Sequence, residues 1–183
     1  YAVYDSAGNL VASGVTAADG SVALDLGADY LGKTLLVKLT DANGATVDYA
    51  RETGGDASLD TALRAAIVVS SQTQTVHVTP LTELAVRKAG VTTDAAPDGT
   101  TVTTNVPIGA GAGTTVNTAN SDVATAFGLG SILTPSVTII NADGSNNTAY
   151  NESNGLSDAE KYGQSLAKLD GAAFNAGSMN QAL

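Results

Sequence analysis

The sequence contains no cysteine, which excludes disulfides, thiol catalysis and Cys-ligated zinc. It has no tryptophan and only two phenylalanines, and aromatic residues make up 4% of the chain, too few to line a large apolar pocket. Basic side chains are scarce: eight Lys and Arg face eighteen Asp and Glu, for a formal charge of −10. Binders of nucleic acid or of anionic membranes need the opposite sign, so neither partner is expected. No apolar run approaches the roughly 18 residues of a membrane helix, so membrane insertion is not expected either. No signal peptide is present, and the chain opens in mid-strand at Tyr1-Ala2-Val3-Tyr4. The expectation is a piece of a longer protein.

What is present suits one domain. A chain of 183 residues can bury about 70% of the surface its unfolded form exposes, without covalent staples. Its apolar content is mostly Ala, Val and Leu, interspersed with 20 Gly and abundant Thr, Ser, Asn and Asp. Such a composition favours short strands and tight turns. Strand-like segments run over 1–5, 10–15, 21–26, 34–40 and 45–51. Two more, over 63–70 and 74–79, are expected to form a hairpin around Ser71-Gln72-Thr73. In Ser21 to Leu26, Val22, Leu24 and Leu26 alternate with Ser21, Ala23 and Asp25, the period of a half-buried strand. Strands at this spacing point to an antiparallel sandwich.

The pattern then changes. Thr79-Pro80 opens a helix with Leu81, Leu84 and Ala85 on one face and Gly90 as terminator. Residues 91–116 read as loop with one strand over 100–107. Asn120 reads as the cap of a short helix over 121–127, and 137–140 as a short strand. Ser157 and Glu160 form a capping box for a helix to Lys168 or Leu169, with Tyr162, Leu166 and Leu169 at helical spacing. A helical turn is expected over 179–183. The expected fold is therefore mainly β: a single domain with an antiparallel β-sandwich over 1–79, and a part-helical, loop-rich part over 80–183 packed on it.

Chemistry has few carriers in this sequence. The only histidine, His77, alternates with Val76 and Val78 and reads as a structural surface residue, which leaves a His-based triad without support. The glycine run Gly109 to Gly113 lacks the lysine of a phosphate loop and reads as a flexible loop. Acidic and amide-rich turns are better candidates. Asp41 and Asn43 around Gly44, and Asn141, Asp143 and Asn146 around Gly144, place oxygens as a Ca²⁺ ion with roughly six to eight oxygen ligands uses them. The same residues also suit turns for their own sake, because their side chains bond nearby backbone. Lys33 and Lys38 are strand-region lysines that read as solubilising. The competing reading is an intramolecular isopeptide bond to an Asn or Asp with Glu83 as assisting acid. Tyr150, outside the expected core, could offer a flat face to a sugar or peptide. No catalytic residue is assigned, and an enzyme is not expected.

The opening "YDSAGNLVASGVTAADGSVALDL" resembles carboxypeptidase-regulatory-like, or transthyretin-like, sandwich modules of bacterial surface proteins. The order "TVHVTPLTELAVRKAG", "NTANSDVATAFGL", "EKYGQSLAKLDG" is similar to a domain of the large repeat-in-toxin-type adhesins of Gram-negative bacteria. That resemblance implies a secreted, extracellular, cell-surface module in adhesion and biofilm formation. It also implies reliance on Ca²⁺, contacts with neighbouring domains of the same long chain, and a surface glycan or peptide as ligand. No family binding residue carries over by number. The alternative is a structural subunit or spacer of an extracellular filament, assembled by strand exchange between neighbouring subunits.

Overall fold

The computed structural model describes residues 1–17, 20–39, 49–50, 56–57, 63–91, 112–134 and 156–183. Its strands are β1 (Ala2–Tyr4), β2 (Leu10–Ser13), β3 (Ser21–Asp25), β4 (Thr34–Lys38), β5 (Tyr49–Ala50), β6 (Asp56–Ala57), β7 (Arg64–Val68) and β8 (Thr73–His77). Its helices are α1 (Pro80–Lys88), α2 (Ala112–Ala126), α3 (Asp158–Ala176) and α4 (Met179–Ala182). One antiparallel sheet has the order β2-β1-β4-β7, a second pairs β3 with β8, and β5 pairs with β6.

The two larger sheets share a core. Val3, Leu35, Val37, Ala65 and Ile67 of the first meet Val22, Leu24 and Val76 of the second, all buried. The opposite face of the first sheet is covered as well: Leu36 and Ala66 pack with Val86 of α1 and Val116 of α2, together with Val91. A third cluster joins Leu81 and Ala85 of α1 to Ala119 and Val123 of α2, and to Leu129, Ile132 and Tyr162 of α3. The four-stranded sheet is thus the middle layer between a two-stranded sheet and a helical layer. Burial on both faces explains why β4 reads Thr-Leu-Leu-Val-Lys and β7 Arg-Ala-Ala-Ile-Val, with apolar residues on consecutive positions rather than alternating ones.

Several sequence expectations need correction. The chain is mixed α/β and not mainly β, because helix outweighs strand among the described residues. Much of that excess lies in α2. Residues 112–116 read as loop and Asn120 as a cap, yet one helix runs from Ala112 to Ala126 with Asn120 inside it. Its buried positions, Ala112, Val116, Ala119, Asn120, Val123 and Ala124, follow the helical period. They are small or polar, so a search for bulky apolar residues passes over them. Gly113 is no flexible loop: a Cβ there would lie 3.3 Å from Val68 Cγ2, so glycine lets the first turn approach the sheet.

The expected hairpin over 63–79 is also absent. β7 pairs with β4, matching Leu36 to Ala66, while β8 crosses to the other sheet and matches Val22 to Val76. Helix α3 passes the expected end near Leu169 and Gly171 to stop at Gly177, whose φ of 71° makes it the left-handed terminator. A helical glycine costs about 1 kcal/mol against alanine, a penalty that burial of Ala173 and the added turns offset. The helix beginning at Thr79-Pro80, the capping box of Ser157 and Glu160, and the turn at Met179 stand where expected.

Leu81 is fully buried where α1 meets α2 and α3. Leu81→Ala should cost roughly 2–5 kcal/mol in chemical denaturation, and Leu166→Ala, at a half-buried position on the same cluster, less. Equal losses would show that the helical layer does not distinguish its centre from its margin.

Candidate functional site

The most concentrated polar structure in the described residues lies where the middle sheet meets α1. Strand alternation sends Leu35 and Val37 toward the second sheet, and therefore Leu36 and Lys38 toward the helices. Arg64 stands opposite Lys38 in register and shares that face. Glu83 comes down from the first turn of α1. Arg64 holds it with two parallel bonds, Nε to Oε2 at 2.9 Å and Nη2 to Oε1 at 2.7 Å. Arg87, one turn along α1, donates from Nε to Oε1 at 3.0 Å. Its other nitrogens reach α4, where Nη2 donates to Asn180 Oδ1 at 2.9 Å and Nη1 to the Asn180 carbonyl at 3.4 Å. Arg64 is 1% exposed, and Lys38 and Glu83 are 0% exposed. Lys38, Arg64 and Arg87 each have further polar or electrostatic partners.

One carboxylate thus ties a strand, the helix above it and, through Arg87, the C-terminal helix. Its three accepted bonds commit it to two guanidinium groups, which fits a fastening better than a proton shuttle. The same commitment makes Glu83 a poor assisting acid for an isopeptide bond at Lys38. Lys38 is also no solubilising residue, being enclosed. Lys33 is exposed, with Nζ 5.4 Å from the centre of the Tyr30 ring, a cation–π placement.

A second polar tie lies in the helical core. The Tyr162 hydroxyl donates to the Ile132 carbonyl at 3.2 Å, which leaves the Thr79 hydroxyl, 2.8 Å away, to donate to it. Thr79 is also the cap of α1: its N–H donates to Thr82 Oγ1 at 2.9 Å, and Thr82 Oγ1 donates back to the Thr79 carbonyl at 2.8 Å. Burial pushes the Tyr162 hydroxyl up to about 12, against the opposing pull of the Thr79 hydrogen bond.

The residues singled out from the sequence fare unevenly. His77 is half-buried on β8, opposite in direction to the core residues Val76 and Val78, and its N–H donates to the Leu133 carbonyl at 2.9 Å. Asp41, Asn43, Asn141, Asp143, Asn146 and Tyr150 lie outside the described residues. Among the described residues no group of three or more His, Asp or Glu side chains could hold a metal ion. The sequence reading named Lys38 and Glu83 in a different role and missed Arg64 and Arg87. The available signals were an arginine leading the apolar run Ala65 to Val69, and the i, i+4 spacing of Glu83 and Arg87.

Removing one partner of a buried ion pair strands the other, so Glu83→Ala should cost about 3–5 kcal/mol in urea unfolding. A loss under about 1 kcal/mol would mean that water reaches the two arginines. Tyr162 yields a pH test. Its folded value lies above the ordinary value near 10, so its contribution is complete below about pH 10 and is lost as pH rises toward 12. Tyr162→Phe should be less stable at neutral pH yet show a smaller decline in melting temperature across that interval. Parallel alkaline profiles would assign the decline to other groups.

Compared with protein-family models, with curated proteins and with solved structures, the chain matches none.

Proposed function

We propose that this chain is a non-catalytic extracellular domain of a bacterial surface adhesin, scaffolding or presenting a ligand-binding surface with the help of Ca²⁺. The observation that carries this reading is the double fastening of helices to sheets. Arg64–Glu83–Arg87 joins the middle sheet to α1 and α4, and Thr79–Tyr162–Ile132 joins α1 to α3. A body fastened in this way moves as a unit. A module within a long surface chain has that requirement, because it passes position and tension between neighbours. The likeness of the sequence to repeat-in-toxin-type adhesins supports the same reading. The charge of −10 is consistent with a medium rich in divalent cations. Its partners on this reading are the neighbouring domains of the same chain and a surface glycan or peptide.

Antibody raised against the purified chain should label unpermeabilised cells of the source bacterium, and deleting the coding segment should reduce attachment to surfaces. Labelling only after permeabilisation, with attachment unchanged, would refute the proposal. Calcium is tested separately. Extracellular modules bind it at about 10⁻⁴–10⁻³ M, and hundredfold saturation adds about 2.7 kcal/mol by linkage. EDTA should therefore lower the melting temperature, and joint replacement of Asp41, Asp143 and Asn146 by alanine should remove the calcium-dependent part. An unchanged melt in EDTA would take calcium out of the account.

A further inference from the structure

Four strands end the two principal sheets: β2 and β7 in one, β3 and β8 in the other. Three of these edges are stopped by hydrogen bonds from elsewhere in the chain. On β7 the Ala66 carbonyl accepts from Asn120 Nδ2 at 3.0 Å, beneath α2. On β3 the Ala23 carbonyl accepts from the Tyr1 hydroxyl at 3.0 Å, and the Ser21 carbonyl from the Ala17 N–H at 2.8 Å. On β8 the His77 N–H donates to the Leu133 carbonyl at 2.9 Å.

β2 has no such stop. Gly14 N–H donates to the Tyr1 carbonyl at 3.0 Å, and an antiparallel ladder alternates. Ser13, opposite Ala2, therefore turns its N–H and C=O away from β1, and among the described residues nothing bonds to them. Apolar side chains flank this open edge, with Leu10 60% and Val15 91% exposed. Edges are ordinarily blunted by charge, proline or bulges. Residues 10–17, Leu-Val-Ala-Ser-Gly-Val-Thr-Ala, carry neither charge nor proline. Their one device is a bulge at Val11, between the pairs Val3–Ala12 and Tyr4–Leu10.

The charge of the whole chain identifies the occupant. Copies carrying −10 repel one another over most of their surface, and the uncharged β2 edge is where two can meet without opposing carboxylates. We propose that β2 pairs antiparallel with β2 of a second copy across a two-fold axis, joining two four-stranded sheets and covering Leu10 and Val15. Because the β7 end is sealed by α2, growth stops at two; an open filament through this sheet would need a second free edge. The proposal does not depend on the adhesin reading.

The test is sedimentation equilibrium of the 183-residue chain over a concentration series reaching on the order of 1 mM, a range that captures even weak interfaces. Wild type should move from monomer to dimer and no further. Leu10→Glu with Val15→Glu, both at exposed positions, should raise the dissociation constant at least about tenfold while leaving the thermal melt unchanged. Hydrogen exchange at the Ser13 amide should slow with concentration in wild type alone. A wild type that stays monomeric throughout, a dimer indifferent to both glutamates, or species that grow without limit would each overturn the proposal.

Discussion

The described architecture depends on one enclosed carboxylate. Two guanidinium groups and a lysine side chain point into the seam between the middle sheet and the helices, and Glu83 is what lets them be there. Arg64 and Lys38 belong to adjacent strands, so their positions are set by sheet register before any helix arrives. Only a helix that places an acid at its first turn can close over them, and α1 does so because Thr79 and Pro80 fix where that turn begins. The cost of desolvating these charges is high, and a well-packed apolar replacement often matches such a group in stability. What the ionic version adds is direction: it admits α1 in one rotation and at one height, and through Arg87 it also sets the seat of α4.

Covering both faces of the middle sheet has a second effect. β4 and β7 lose the alternation that marks a half-exposed strand, and the helices above them must be thin where they touch. Gly113, Val116, Ala119 and Asn120 answer that demand with little bulk. Asn120 does more, since its amide satisfies a strand carbonyl that would otherwise be buried without a partner. Close packing and edge protection thus come from the same side of one helix.

How much of this was legible follows from where the deciding information lies. Local rules placed α1, the start of α3 and α4, because caps, proline and terminal glycine act within a few residues. The strand segments were legible for the same reason. Strand partners were not, because Ser71-Gln72-Thr73 looks like a hairpin turn whether β8 returns beside β7 or crosses to β3. α2 was hidden by its Thr and Asn content, which favours turns in isolation and yields to tertiary burial here. The charged seam was half visible: Glu83 and Lys38 drew notice, but what joins them is an arginine nineteen positions before the glutamate, beyond the reach of local pattern. The turns that drew attention as cation ligands lie outside the described residues.

The crossing from β7 to β8 also bears on how the chain reaches this structure. A hairpin would have let β8 form early against its immediate neighbour. Instead β8 must find Val22 and Leu24, on a strand made much earlier in the chain, and everything between must be gathered before that pairing is rewarded. The two-stranded sheet is therefore a late event in folding, and until it closes, Leu35, Val37 and Ile67 stand uncovered on one face of the middle sheet. The interval in which that apolar face is bare is when an unfinished chain is most exposed to sticking to its neighbours.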